Sequence, residues 1–214
     1  MKNETLINTL SGNNKLKLLL LPLICSAAVL RKEKILRDLL QLAKIEKLSG
    51  RKIYEALLQT YLFAGFPSAL NSLKIAAEYF PSNHKYNSTR KSFREVGVQN
   101  CKKIYGNKFD KLLDNISVFS PELSEWLIIE GYGKVFSRSH LSLKSRELCN
   151  IAVLASLRYE RQLYSHINGA FRSRNLLGDI ETVIEHLQFT GGKAIKNFGM
   201  KVFDKYLIQK GVKK

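Results

Sequence analysis

Sulfur, proline and acid are all sparse in this chain. Its three cysteines (Cys25, Cys101 and Cys149) stand far apart among 214 residues. They form no Cys-x-x-Cys and no Cys/His cluster at zinc spacing, which excludes a disulfide framework and a structural zinc site. Only four prolines interrupt the chain, so long segments run unbroken. No stretch alternates apolar and polar residues with a Val, Thr or aromatic bias, which argues against strands. The long periodic segments are instead rich in Leu, Ala, Lys, Glu and Ile, and predict an all-α protein. Hydrophobic residues at 45% and charged residues at 25% are ordinary for a globular chain of this length.

Acid is outnumbered by base, 18 Asp and Glu against 35 Lys and Arg, for a formal net charge of +17. Such an excess points toward nucleic acid or an anionic membrane. The basic residues are nevertheless spread along the chain, densest at 31–37, 44–52 and 84–94. None of these stretches interleaves base with aromatics as a single-strand groove does, and no zinc-finger, RRM or basic-zipper pattern is present. A solvated basic surface is expected, with nucleic acid disfavoured as a partner and no membrane partner.

Leu18–Leu30 (LLLLPLICSAAVL) has the look of a signal-peptide core. It contains Pro22, is too short to span a bilayer, and runs at once into Arg31-Lys32-Glu33-Lys34. A buried helix is expected there, and a cytoplasmic location fits the free cysteines.

An internal repeat supports that expectation. Shifted by 127 residues, 18–65 and 145–192 align without gaps and share ten identities, among them Leu30/Leu157, Arg31/Arg158, Glu33/Glu160 and Gly65/Gly192. The shared Leu-Arg-x-Glu turn is polar, so a common hydrophobic pattern does not account for it. The chain is read as a single domain, 1–214, holding two pseudo-repeats of a three-helix module. The first spans 15–80, a polar linker covers 81–88, and the second spans 120–210. The first copy closes on a long helix broken at Gly65-Phe66-Pro67. Further helices are expected over Thr89–Tyr105, Asn107–Asn115 and Pro121–Gly131, with residues 1–14 frayed.

Glu147 opens the first helix of the second copy, and His166 lies in the second helix. With a turn near residue 158, a rise of about 1.5 Å per residue puts them within roughly one turn of the same height on antiparallel helices. A carboxylate beside an imidazole fixes its tautomer and raises its basicity, as a general acid/base pair requires. The first copy has Leu20 and Leu39 at these positions. The plainer reading stays open: a capped or Arg146-paired Glu147, and a hydrogen-bonded core His166.

The run Arg146-Glu147-Leu148 … Leu154-Ala155 … Glu160-Arg161-Gln162-Leu163 … His166 … Gly169-Ala170 resembles the signature of the carboxymuconolactone decarboxylase family, which shares its fold with alkyl hydroperoxidase D. Phe63–Asn71 resembles the family's aromatic–Gly–aromatic–Pro–Ala block. The resemblance implies an AhpD-like helical domain, a homo-oligomer, most simply a trimer, and a decarboxylase that needs no metal or organic cofactor. It assigns Glu147 and His166 as catalytic, and Arg146, Arg158, Tyr159 and Gln162 as candidates to bind a small-molecule carboxylate substrate. Trp126, Tyr132, Phe136 and His140 are candidates for the pocket wall. The hydroperoxidase branch carries a Cys-x-x-Cys at the places of Tyr159 and Gln162, so peroxiredoxin-type hydroperoxide reduction is disfavoured. A lyase acting on a small carboxylated lactone or keto acid and a non-catalytic oligomeric binding protein on the same fold both remain.

Overall fold

Residues 9–81 and 92–211 are described by a computed structural model, and every regular element among them is helical. After a helical turn at 9–11 comes α1 (Leu16–Val29), in which twelve of fourteen residues are buried. A helix that is apolar all the way round has no face for water and must be covered on all sides. The signal-like run is this helix, packed at the centre of the main core with Leu19, Leu20, Leu23 and Ile24 fully enclosed. No helix among the described residues is long and apolar enough to cross a membrane.

The elements around it are amphipathic. α2 (Glu33–Ile45) lies on α1, followed by α3 (Gly50–Leu58) and α4 (Tyr61–Tyr79). α4 is kinked where Gly65 takes φ 76° and ψ 170°, just ahead of Pro67. A Gly residue supplies that left-handed φ without steric cost. The C-terminal part runs α8 (Leu143–Ser156), α9 (Glu160–Arg172), α10 (Leu177–His186), the short α11 (Gln188–Gly191) and α12 (Lys193–Lys210). α8 packs on α1, and Ser26 Oγ lies 2.7 Å from Ser156 Oγ and 2.6 Å from Thr190 Oγ1. These three buried hydroxyls satisfy one another inside an otherwise apolar seam.

At the 127-residue shift, α1 and α8 have the same bounds and the same length of 14 residues, and α2 and α9 both have 13. Among the described residues, four non-glycine residues adopt positive φ, in shifted pairs: Arg31 with Arg158, and Lys47 with Arg174. Each closes its helix with a Schellman pattern; Lys32 N donates to Ala27 O at 2.9 Å and Tyr159 N to Leu154 O at 3.0 Å. A left-handed non-glycine residue costs about 1–2 kcal/mol. All four are basic and stand at the carbonyl end of a helix, where the dipole favours positive charge.

Between the two groups lies a second, smaller core formed by α5 (Phe93–Tyr105), α6 (Phe109–Ser117), α7 (Pro121–Trp126) and a π-helical segment, Leu127–Val135. α5 is capped by Ser92, whose Oγ accepts from Glu95 N, and residues 89–91 of the helix expected from Thr89 lie outside the described residues. The expected helix from Pro121 to Gly131 widens after Trp126 into the π segment and runs on to Val135. Gly97 and Gly133 let α5 and this segment touch backbone to side: a β-carbon on either would collide with the carbonyl of Ile128 or Phe93.

The expected fraying of residues 1–14 does not extend through 9–14. Leu10 is fully buried in the main core, and Asn13 donates its side-chain amide to His186 Nε2 at 2.8 Å. Residues 1–8, most of the expected linker (82–88 of 81–88) and the basic residues 84–91 lie outside the described residues.

Candidate functional site

α8 and α9 form an antiparallel hairpin whose turn, Leu157–Tyr159, is set by left-handed Arg158. The hairpin brings the first turns of α8 level with the middle of α9. There His166 Nδ1 lies 2.7 Å from Glu147 Oε2, with Glu147 fully buried and His166 6% exposed. A carboxylate oxygen can only accept, so Nδ1 carries the hydrogen and Nε2 is the ring nitrogen left to act on a bound molecule. Asn150 Nδ2 packs against the same Nδ1 at 3.4 Å, a contact and not a hydrogen bond in this tautomer, since both nitrogens carry hydrogen. Phe63 meets the imidazole edge-on, with ring centres 5.8 Å apart.

The close approach depends on Gly169, one turn beyond His166. A β-carbon there would stand 2.9 Å from Glu147 Oε2 and 2.8 Å from Ile104 Cγ2. The second carboxylate oxygen, Oε1, is buried with no hydrogen-bond partner in the protein. Such an uncompensated acceptor is costly and rare in a folded chain. At the shifted positions in the other half, Leu20, Leu23 and Leu39 replace Glu147, Asn150 and His166, and all three are buried.

Behind the pair runs a chain of buried polar groups. Asn150 Oδ1 accepts from Gln59 Nε2 at 3.0 Å, Gln59 Oε1 from Arg146 at 3.0 Å, and Glu55 Oε2 from Arg146 at 3.2 Å. Arg138 completes a two-pronged grip on Glu55 at 2.8 and 2.9 Å. Burial works against ionising Glu55, but the hydrogen bonds and charge of Arg138 and Arg146 outweigh it and hold its carboxyl below the usual range. Burial likewise draws the Arg146 guanidinium down, with Glu55 opposing.

His166 forms part of the wall of a cavity of about 750 Å³. α9 contributes Arg161, Gln162, Ser165 and His166. The start of α4 adds Tyr61, Leu62 and Phe63, and the rest comes from α5, α6, α7, the π segment and Phe136. Tyr105 and Tyr132 present hydroxyls 3.0 Å apart. Burial pushes both phenols well above their ordinary range, and the nearby Glu147 charge adds to the effect, so both remain protonated. Tyr61 donates to Glu130 at 3.0 Å, and Lys134 pairs with the same carboxylate.

The candidate residues therefore separate. His166 and Gln162 line the cavity, as do Trp126, Tyr132 and Phe136, while Glu147 is buried behind His166 and reaches the cavity through its contact with that ring. Arg146 does not line it: the guanidinium is bound to Glu55 and Gln59 and lies behind Phe136, 6.0 Å from its ring centre. It pairs with Glu55 rather than with its neighbour Glu147. Arg158 and Tyr159 are exposed at the hairpin turn and His140 is exposed before α8, all three away from the cavity. Arg158 is held there by its role in closing α8. The basic residue that does line the cavity is Arg161, which sequence reasoning passed over together with Ser165, Tyr61 and Tyr105. Gln162 and Arg161 lie about one turn before His166, and that spacing is the signal that marks this face of α9. Among the described residues, no three His, Cys, Asp or Glu side chains converge as a metal site requires.

Residues 121–205 match the model of the carboxymuconolactone decarboxylase family. The chain is also 24% identical over 117 residues to a 4-carboxymuconolactone decarboxylase of Acinetobacter baylyi (strain ATCC 33305 / BD413 / ADP1), an alignment covering 54% of this chain and 87% of that relative.

Proposed function

We propose that this chain, whose residues 121–205 match the model of the carboxymuconolactone decarboxylase family, is a cofactor-free decarboxylase or related lyase acting on a small carboxylated lactone or keto acid. The observation that carries this reading is the 2.7 Å contact of His166 Nδ1 with Glu147 in the wall of a cavity. The bond from the substrate carboxylate to its carbon breaks, carbon dioxide leaves, and the electron pair passes to the adjacent carbonyl-type sink as an enolate. His166, protonated at both nitrogens and charge-balanced by Glu147, gives its Nε2 proton to the carbon that lost the carboxylate. Solvent then returns the proton to Nε2, so each turnover consumes one. Arg161 and Gln162 supply charge and hydrogen bonds for the carboxylate, and the Tyr105 and Tyr132 hydroxyls are donors for the carbonyl oxygen.

The test is carbon dioxide release from a panel of carboxylated lactones and β-keto acids by the wild-type chain and by Glu147→Gln and His166→Gln. Turnover by the wild type and its loss in both variants, with the folds intact, is the expected result. Turnover that survives either substitution, or a wild type that binds panel members yet releases no carbon dioxide, rejects the reading and leaves the non-catalytic one.

The same reading extends to architecture and setting. The paired bounds of α1/α8 and α2/α9 support descent from one three-helix module used twice, whose first copy gave up the polar pair for leucines. A homo-oligomer, most simply a trimer, is expected, and sedimentation giving a monomer at micromolar concentration would reject it. The free, buried cysteines fit a reducing cytoplasm.

A further inference from the structure

Resting on the assignment of this cavity as the substrate site, we infer that it takes a monocarboxylate with an extended apolar body rather than a compact dicarboxylate. Two features point there, the distribution of charge and the shape of the wall.

Charge comes first. Among the described residues that line the cavity, Arg161 is the one Lys or Arg and Glu130 the one Asp or Glu. Glu130 is occupied by Tyr61 and Lys134. Arg146 and Arg138, which do not line the cavity, are bound to Glu55. A ligand with two carboxylates would bring the second into the cavity without a counter-charge, and an unpaired carboxylate in a largely apolar site is strongly disfavoured. One carboxylate is what this site balances.

The wall comes second. α9 presents four polar side chains along one face, Arg161, Gln162, Ser165 and His166, while Glu130 and the Tyr61, Tyr105 and Tyr132 hydroxyls stand elsewhere on the wall. α6 and α7 offer Leu112, Ile116, Leu123 and Trp126. A volume of about 750 Å³ lies in the upper part of the range of about 300–1,000 Å³ that suits drug-sized ligands, far more than a compact lactone fills. Leu123 and Trp126 are 52% and 57% exposed although they line the site. Apolar surface left open at a cavity is surface that a ligand's apolar body removes from water. The ligand thus lays its carboxylate along α9 and its body, aromatic, alicyclic or acyl, against α6 and α7.

Trp126 is the only tryptophan in the chain, so its fluorescence reports the occupancy of this wall. The probes are 4-phenylbutanoate, its uncharged amide, and adipate, a dicarboxylate of similar length, titrated into the full-length protein with calorimetry in parallel. We expect 4-phenylbutanoate to shift Trp126 emission to the blue and to saturate, with adipate at least about tenfold weaker, a difference of about 1.4 kcal/mol. Arg161→Met is expected to weaken 4-phenylbutanoate about tenfold while leaving the amide unchanged, and Leu123→Asp to weaken both. Adipate binding as tightly as 4-phenylbutanoate, an Arg161→Met variant that binds it undiminished, or no saturable binding of it at all overturns the inference. Glu147→Gln and His166→Gln separate this from the catalytic reading: both are expected to bind 4-phenylbutanoate, so lost turnover with retained binding bears only on the chemistry.

Discussion

Arg146 of α8 and Glu55 of α3 stand 3.2 Å apart with neither side chain exposed to water. The pair ties the N-terminal half to the helix that carries Glu147, and through Gln59 and Asn150 it reaches the His166 ring. Removing one charge of such a pair strands the other in the interior at a cost of about 3–5 kcal/mol, whereas replacing both by apolar groups is often neutral. Glu55→Ala should therefore lower the urea midpoint sharply, and adding Arg146→Met should recover much of the loss. Equal stability of single and double variants would show that the two charges are not coupled.

The pH dependence of the same contact has a definite sign. The Glu55 carboxyl sits lower in the folded chain than its ordinary value of about 4.3, because Arg138 and Arg146 outweigh burial. Its stabilising contribution is complete above that ordinary value and disappears as pH falls through the lower folded value. Unfolding followed from pH 6 down to pH 3 should show the wild type losing stability more steeply than a Glu55→Ala/Arg146→Met variant. Parallel curves would remove Glu55 as the cause.

Glu147 and His166 can be exchanged for the residues at the shifted positions of the other half. The double variant Glu147→Leu/His166→Leu should keep its fold with a melting temperature equal to or above that of the wild type, since it removes a buried polar pair and the unpartnered Oε1. Activity should vanish no more completely than in either single Gln variant, as groups acting together are non-additive. A collapse of the fold would make the pair structural.

Gly169→Ala tests spacing alone. The added methyl would meet Glu147 Oε2 and Ile104, costing about 1–3 kcal/mol of stability as an overpacked site and displacing the carboxylate from His166. A loss of turnover on the order of 100-fold is expected from misplacement on this scale. Unchanged kinetics would mean that the carboxylate does not need its present position.

The cysteines should be inert in the native state. All three are buried, and burial pushes the Cys25 and Cys101 thiols above their ordinary range. A disulfide reagent such as DTNB should react slowly with the folded protein and fully after denaturation, and no dithiol-dependent peroxide turnover should be measurable. Rapid labelling, or peroxide reduction abolished by one Cys→Ser change, would reopen a thiol chemistry.

The helices and the central pair were legible because their signals are local or arise within one hairpin. Apolar spacing marks α2 and α9, and the distance from Glu147 to His166 around one turn places both at the same height. What stayed hidden came from afar. Arg146 looks like a substrate arginine beside Glu147, yet its partner Glu55 lies 91 residues earlier, and no spacing rule joins them. Arg158 looked like a second carboxylate ligand until its left-handed backbone fixed it at the helix end. The π segment was read as ordinary helix, since Gly131 and Gly133 weaken a 3.6-residue pattern without announcing a wider turn.

The enclosure of α1 has a consequence for how the chain is made. α2, α3 and α4 cover part of its apolar surface, and the single helix that packs on it most extensively, α8, begins only at Leu143. A ribosome therefore delivers α1 well before the helix that shields it exists, and the contact between them is a long-range one that forms late. Through that interval the nascent chain carries an apolar helix with the face that α8 will cover still open to water and positive charge at both ends, a natural ligand for a trigger-factor-like or Hsp70-type holdase. Yield on expression will depend on the pace of translation through the middle of the chain as much as on the stability of the finished fold.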